Sequence, residues 1–327
     1  MENNNKDNVL VGKLPPDLLS RSVLGFSGAA RDDVLVGGGL GEDAALIRWP
    51  DGGPYLVAAS DPITGASEGA GRLLVHVNAN DVACKGADPA WLIVTLIVPA
   101  RDGAPLVEKF MREIHDACRS MGVAIVGGHT ELTDRYDRPV LSGTMLGAAN
   151  RRLSAGLIRS GDVIIATGHA GLEGMSILAN DRPELLRRCL SADETDSVKA
   201  WSREISVVPA ARVLRDFARY MHDPTEGGLM GAIAEVTEAC GLDVKIDESA
   251  VPVSPLTRRA AETLGFDPLH LISSGMLLAV VPPEKAGEAQ DALSRIGISA
   301  RVIGCFAGPR EKGPVDMHEE LWSLIVK

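Results

Sequence analysis

Apolar positions along this chain repeat at two spacings. Trp91–Val98 is a nearly continuous apolar run of strand length, and Ala44–Trp49, Tyr55–Ala59, Val123–Val126 and Val140–Ala148 read as further strands. Pro50-Asp51-Gly52-Gly53-Pro54 is a turn between the first two. Helical spacing appears from about Gly69 to Lys85 and again in Pro105–Met121, where Leu106, Phe110, Ile114, Ala117 and Met121 share one face. The polar run at Asn150–Ser160 marks a boundary. Beyond it come strands at Val163–Thr167, Leu242–Ile246, Leu277–Val281 and Ser299–Phe306, with helices at Ala210–Met221, Leu229–Cys240 and Glu284–Ile296. Both halves mix strands and helices, so the fold class is α/β, in the mixed α+β sense, with helices covering sheets. Residues 1–32 show only a short helical pattern at Asp17–Leu24 and read as a flexible arm ahead of domains at 33–152 and 153–327.

Composition narrows the function classes. A chain of 327 residues suits about two domains. Hydrophobic residues make up 45% but aromatics only 4%, so the core is aliphatic and alanine-rich. A net charge of −11 argues against a nucleic-acid partner, which needs a basic patch. The five cysteines are dispersed without a Cys-x-x-Cys pair, which suits a reducing cytoplasm and not a zinc site. The polar start of the chain lacks the apolar stretch of a secretory signal, and no apolar run reaches the roughly 20 residues that span a bilayer. A cytoplasmic protein with no membrane partner is expected.

Four segments place carboxylates beside glycines: Gly41-Glu42-Asp43-Ala44, Asn80-Asp81 followed by Lys85-Gly86-Ala87, Gly127-Gly128-His129-Thr130-Glu131, and Asp223-Pro224-Thr225-Glu226-Gly227-Gly228. A carboxylate cannot hold a phosphate directly, but it can hold Mg²⁺, which bridges to phosphate, while glycines let backbone N–H groups approach. Each segment also has a plainer reading. Asp43 suits an Asx turn in a hairpin. Asp61 sits where a strand ends before a proline, as a crevice ligand or an N-cap. Asp81 lies among Val77, Val82 and Ala83, costly to bury without a metal, or it pairs with Lys85 on a solvent face. His129 is a proton carrier or a turn residue. Asp223 or Thr225 caps the following helix, whose start can also bind an anion.

Together the four motifs resemble the aminoimidazole-ribonucleotide-synthetase, or PurM-like, superfamily, which includes HypE, thiamine-monophosphate kinase and selenophosphate synthetase. The Asp223 motif and Ser273-Ser274-Gly275-Met276 are most similar to the HypE-like, AIR synthase-related branch. The resemblance implies a two-domain PurM-like fold whose N-terminal sheets join in a barrel across a homodimer. It implies ATP and Mg²⁺ as cofactors, with Asp43, Asp61, Asp81 and Glu131 on the metal. Asp81, His129 and Asp223 take the catalytic roles. The nucleotide is bound by Lys13, Gly41, Asp43, Asn80, Gly127, Gly128, Thr130, Thr225, Gly227 and Gly228, and the arm closes over it. The implied reaction activates a carbonyl-type oxygen of a small-molecule or protein-borne acceptor by phosphoryl transfer. A small-molecule kinase like thiamine-monophosphate kinase and an ATP-binding assembly protein with little turnover are the alternatives. Two departures stand out. His129 occupies a position where many members carry an acid. HypE also acts through a cysteine at its C-terminus, whereas the last cysteine here is Cys305, so its carbamoyl-dehydrating reaction is expected to be absent.

Overall fold

The computed structural model describes residues 12–13, 16–37, 39, 45–49, 51, 55–64, 69–310 and 318–325. Gly41 and Asp43 lie outside the described residues. The chain divides into two compact units, Met1–Val82 with Asp88–Asn150, and Ala83–Ala87 with Arg151–Lys327. Among the described residues no helix is long and apolar enough to cross a membrane.

The first unit contains strands β1 (Gly12–Lys13), β2 (Val34–Val36), β3 (Leu46–Ile47), β4 (Tyr55–Ile63), β5 (Asp88–Pro99), β6 (Ala124–Thr133) and β7 (Val140–Ala149). Five of them form one sheet in the order β1-β6-β5-β7-β4, and β2 pairs with β3 separately. Only β5 and β6 are parallel. A parallel pair needs a crossover, which helix α2 (Gly103–Met121) supplies. Helix α1 (Ala70–Cys84) packs its Leu74 and Val82 side chains close to Gly143 and Gly147 of β7. On α2 the buried residues are Val107, Phe110, Met111, Ile114, Ala117 and Cys118. Leu106 and Met121 are only half-buried, so the stripe is turned by about one residue from the expected face.

Two strand ends in this unit differ from expectation. The strand after α2 does not stop at Val126 but continues through Gly127–Glu131, because β5 hydrogen-bonds to it along that length and β1 joins it at Glu131 and Leu132. At Gly128 the backbone takes φ +155°, and a Cβ there would stand 1.9 Å from the Val94 carbonyl oxygen. The close passage of the two strands therefore demands glycine. Strand β4 likewise runs on to Ile63, placing Asp61 inside it, opposite Gly143.

The arm differs too. Ala29 N–H donates to the Val123 carbonyl at 2.7 Å, and Ile125 N–H donates to that of Ser27 at 2.8 Å. Gly28 N–H donates to His115 Nδ1 at 3.0 Å. Phe26 meets the His115 ring edge-on at 5.8 Å, under the Arg112 guanidinium. Residues 26–29 are thus anchored to α2 and β6. Small residues pairing through their backbones leave no hydrophobic period to read, which is why the sequence presented this stretch as part of a loose arm.

The second unit holds β8 (Val163–Thr167), β9 (Tyr220–His222), β10 (Leu242–Ile246), β11 (Leu277–Val281) and β12 (Ala300–Pro309), all antiparallel, in the order β10-β12-β8-β11-β9. Its helices include α3 (Leu172–Asp181), α4 (Ala192–Ala200), α5 (Val208–Leu214), α6 (Gly228–Cys240), α7 (Pro255–Leu264), α8 (Ala286–Arg295) and α9 (Glu320–Ile325). One apolar cluster places Leu229, Ile233 and Val236 of α6 with Ile164, Leu278, Val280 and Ile303 of the sheet. A second joins Met175 and Leu178 of α3 to Val198, Ala260, Leu271 and Leu321. The helix expected over Ala210–Met221 stops at Leu214. Phe217 and Ala218 bond back to the Leu214 carbonyl, Arg219 N–H reaches Val280, and the chain enters β9 on the edge of β11.

Replacing Gly128 with alanine should cost about 3 kcal/mol or more, since the new methyl meets backbone and not a movable side chain. Urea denaturation measures it; a loss under about 0.5 kcal/mol would contradict the close passage of β5 and β6.

Candidate functional site

In the first unit the strand period of two sorts the expected residues onto opposite faces. A Cβ on Gly143 would point at Asn78 of α1, 3.0 Å from Nδ2. Asp61, directly across from Gly143, shares that helix-covered face. Asn78 is fully buried and fixes the strand there: its Oδ1 accepts the Asp61 N–H at 2.9 Å, and its Nδ2 donates to the Leu74 carbonyl at 2.9 Å. Asp81 follows three residues on, the same side of the helix, with Asn80 wholly buried beside it. Asp61, Asn78 and Asp81 thus belong to one junction between β4 and α1.

His129 and Glu131 lie on β6, two residues apart, and Nε2 stands 3.3 Å from Oε2. Both are about two-fifths exposed. Thr130 between them points to the other face and is buried. The expected grouping of Glu131 with Asp61 and Asp81 around one metal is therefore not what the strand allows. Alternation puts Glu131 on the face away from α1, where it pairs with His129 instead. Gly127 leaves open space beside them. Lys13 of β1 stands in register with Glu131. The ammonium of Lys85 lies 5.3 Å from the Tyr220 ring centroid.

In the second unit Asp223 leaves β9 almost wholly buried and accepts the Cys84 S–H at 3.6 Å. The loop turns through the Gly228 N–H bond to the Thr225 carbonyl, at 3.0 Å, while the Thr225 side chain stays exposed. Gly228 takes φ +61°, and a Cβ there would fall 2.5 Å from the Leu269 carbonyl oxygen. Neither Asp223 nor Thr225 caps α6; its N-cap is Gly227, with no side-chain cap. The cap comes from 92 residues away: Glu319 Oε2 accepts the Gly227 N–H at 2.6 Å. Its Oε1 accepts from Ile272 N at 3.2 Å and from Leu321 N at 2.8 Å. A carboxylate thus occupies the helix start that the sequence offered to an anion. Burial raises its pKa above the ordinary glutamate value, against the three amide donors that lower it.

Glu173, in the first turn of α3, is 7% exposed. Burial pushes its pKa up, and the Asp223 and Glu319 charges push the same way, while hydrogen bonds from Ser274 oppose them. Ser273 is held in turn: Gly171 N–H donates to its hydroxyl at 2.7 Å, and that hydroxyl donates to the Leu271 carbonyl at 2.6 Å. Asn78, Glu173 and Glu319 were missed from the sequence. Glu173 alone had a legible signal, an isolated carboxylate inside the apolar run Ala170-Gly171-Leu172-Glu173-Gly174-Met175.

The chain matches the family profile of the AIR synthase related protein N-terminal domain over residues 41–149 and of its C-terminal domain over 159–314. It is 30% identical over 276 residues to the carbamoyl dehydratase HypE of Cupriavidus necator, covering 81% of this chain and 76% of that one. Escherichia coli HypE superposes with a TM-score of 0.74 at 25% identity, covering 92% of this chain and 97% of the other. A hydrogenase maturation protein HypE in complex with ATP superposes with a TM-score of 0.72 at 26% identity, covering 89% and 86%. The two-domain fold and the ordered motifs define a PurM-like protein. The chain belongs to the AIR synthase related family, on its HypE-like branch.

Replacing Glu319 with alanine should destabilise the second unit by about 1–3 kcal/mol, because three amides lose their acceptor. Glutamine, which keeps one acceptor oxygen, should cost less. Urea denaturation of the two variants decides it; equal stability of alanine variant and wild type would remove the cap.

Proposed function

We propose that the chain is an ATP- and Mg²⁺-dependent enzyme that activates a carbonyl-type oxygen of a small-molecule or protein-borne acceptor by phosphoryl transfer. The observation that carries this reading is the likeness to HypE in complex with ATP over 89% of this chain. The junction of Asp61 and Asp81 around the buried Asn78 supports it.

The donor set fits Mg²⁺ of a particular kind. Asp61 and Asp81 offer hard oxygen ligands, and Mg²⁺ commonly takes one or two carboxylates and fills the rest of its shell with phosphate and water. Among the described residues no group of three His, Cys, Asp or Glu side chains is placed to hold an ion by itself. When bound, Mg²⁺ supplies charge neutralisation on the phosphates. The chain's own part is positional. Asn78 clamps the Asp61 backbone from the helix, so the acid cannot drift when charge changes nearby. The glycines at 127–128 let backbone approach the nucleotide.

The chain works as a homodimer through the first unit. Its sheet exposes Ile93 at 39% and Leu56 at 60%, an apolar surface that association would cover.

Asp81→Asn should cut Mg²⁺-dependent ATP turnover by about 100-fold or more with the fold intact; full turnover, measured by phosphate release, would take Asp81 out of the site. Sedimentation at micromolar protein should give the mass of two chains, and Ile93→Glu should give one. A wild-type monomer would contradict the dimer.

A further inference from the structure

Two helix starts of the second unit converge on one stretch of chain. A Cβ on Gly174, in the first turn of α3, would strike the Leu271 side chain, and one on Gly228, at the start of α6, would fall 2.7 Å from the Leu271 carbonyl oxygen. Leu271 itself is wholly buried. Backbone bonds extend the junction to the segment before α9. Gly174 N–H donates to the Ile272 carbonyl at 3.0 Å, and the Ile272 amide is one of the three that Glu319 accepts. Residues 318–325 are fastened twice more, by Leu321 in the apolar cluster and by Arg182, whose guanidinium donates to the Ile325 carbonyl at 2.6 Å.

Three carboxylates meet at this junction. Asp223 accepts the Cys84 S–H, and Glu319 accepts its three amides. Glu173 is left short. Among the described residues, four buried side-chain polar atoms lack a hydrogen-bond partner, and its Oε2 is the one carboxylate oxygen of the four. An ionised carboxyl puts charge on both oxygens, so a bare buried Oε2 is costly, whereas a neutral carboxyl carries far less charge there. The first turn of α3 favours the charged form, a weaker effect than leaving a buried charge unpaired. Burial pushes the Glu173 pKa up, and the charges of Asp223, from the β9–α6 loop, and Glu319, from the segment before α9, push the same way against hydrogen bonds from Ser274. Further out, Glu226 acts on Glu319. His169, on the loop before α3, has its pKa lowered by burial, and Glu204 is the charge that acts on it.

We propose that Glu173 holds a proton in the folded protein at neutral pH and that this proton locks the junction of α3 and α6. Its loss breaks the O–H bond, sends the proton to water and leaves the electron pair on a buried oxygen that faces the Asp223 charge. The repulsion loosens the stretch around Ile272, and with it the hold of Glu319 on residues 318–325. The lock belongs to the second unit alone and needs no nucleotide. A carboxyl whose folded pKa is raised contributes stability that is complete below its unfolded value, 4.5 for glutamate, and is lost as pH rises through the folded value.

Urea denaturation of the full chain and of Glu173→Gln is followed from acid to alkaline pH, beside infrared spectra of protein carrying isotope-labelled glutamate. Relative to the glutamine variant, which mimics the protonated form, the wild-type folding constant should fall by up to about tenfold per pH unit between the unfolded and folded values and stay level outside them. The wild-type spectrum at neutral pH should show a protonated glutamate band that fades as pH rises. The band should be missing from Glu173→Gln and should persist in Glu319→Gln. Amide exchange at Ile272 and Leu321, corrected for its intrinsic pH dependence, should quicken in the wild type as the band fades and not in Glu173→Gln. A wild type without the band at neutral pH overturns the proposal. So does a ratio of the two folding constants that does not change with pH, or exchange that stays constant while the band fades. Should Glu173→Gln fail to fold, Glu319→Gln decides: a band that disappears there belongs to Glu319 and overturns the proposal, and one that persists supports it.

Discussion

The alternation of side chains along the central sheet of the first unit governs where chemistry can occur there. β6 is hydrogen-bonded on both sides, so its register cannot slip. Every odd position from Gly127 to Glu131 faces away from α1, and every even one faces the helices. Two acidic residues that look equivalent in the sequence, Asp61 and Glu131, are thereby sent to opposite faces. The metal-binding role we propose falls to the face where α1 adds Asn78 and Asp81, and His129 and Glu131 become a pair of their own. The tight passage at Gly128 is the local condition for this, since any side chain there would push β5 and β6 apart.

The second unit handles carboxylates differently. Glu319 is stabilised by amides from three separate segments and ties the chain near its end to the start of α6. Glu173 and Asp223 are more deeply buried, and the Asp223 charge works against the ionisation of Glu173. A carboxylate well supplied with donors, as Glu319 is, makes a good structural cap.

Much of this was legible in the sequence, and what was lost was lost for specific reasons. The helical spacing of residues 69–85 matched its helix nearly to the residue, and the apolar run at Trp91–Val98 marked the core of β5 without its first three residues, because burial on one or both faces leaves a clear period. The extent of β6 was not legible, since two glycines read as a turn when the hydrogen bonds that hold them come from strands distant in the chain. Likewise β9 looked like the end of a helix until β11, more than fifty residues later, claimed its edge. The motif carboxylates at 61, 81 and 223 stood out by composition alone. Asn78 did not, because an amide in a helix carries no signal until the strand it clamps is known. Glu319 had no local signal at all: its partners lie in two other segments as well as its own.

The most direct test of the account is a crystal structure of the protein with Mn²⁺ and a non-hydrolysable ATP analogue, the metal located by its anomalous scattering. The account predicts a metal peak beside the Asp61 and Asp81 carboxylates, bridging to the phosphates. A peak on the opposite face, at His129 and Glu131, or a nucleotide bound without contact to Asp81, would contradict it.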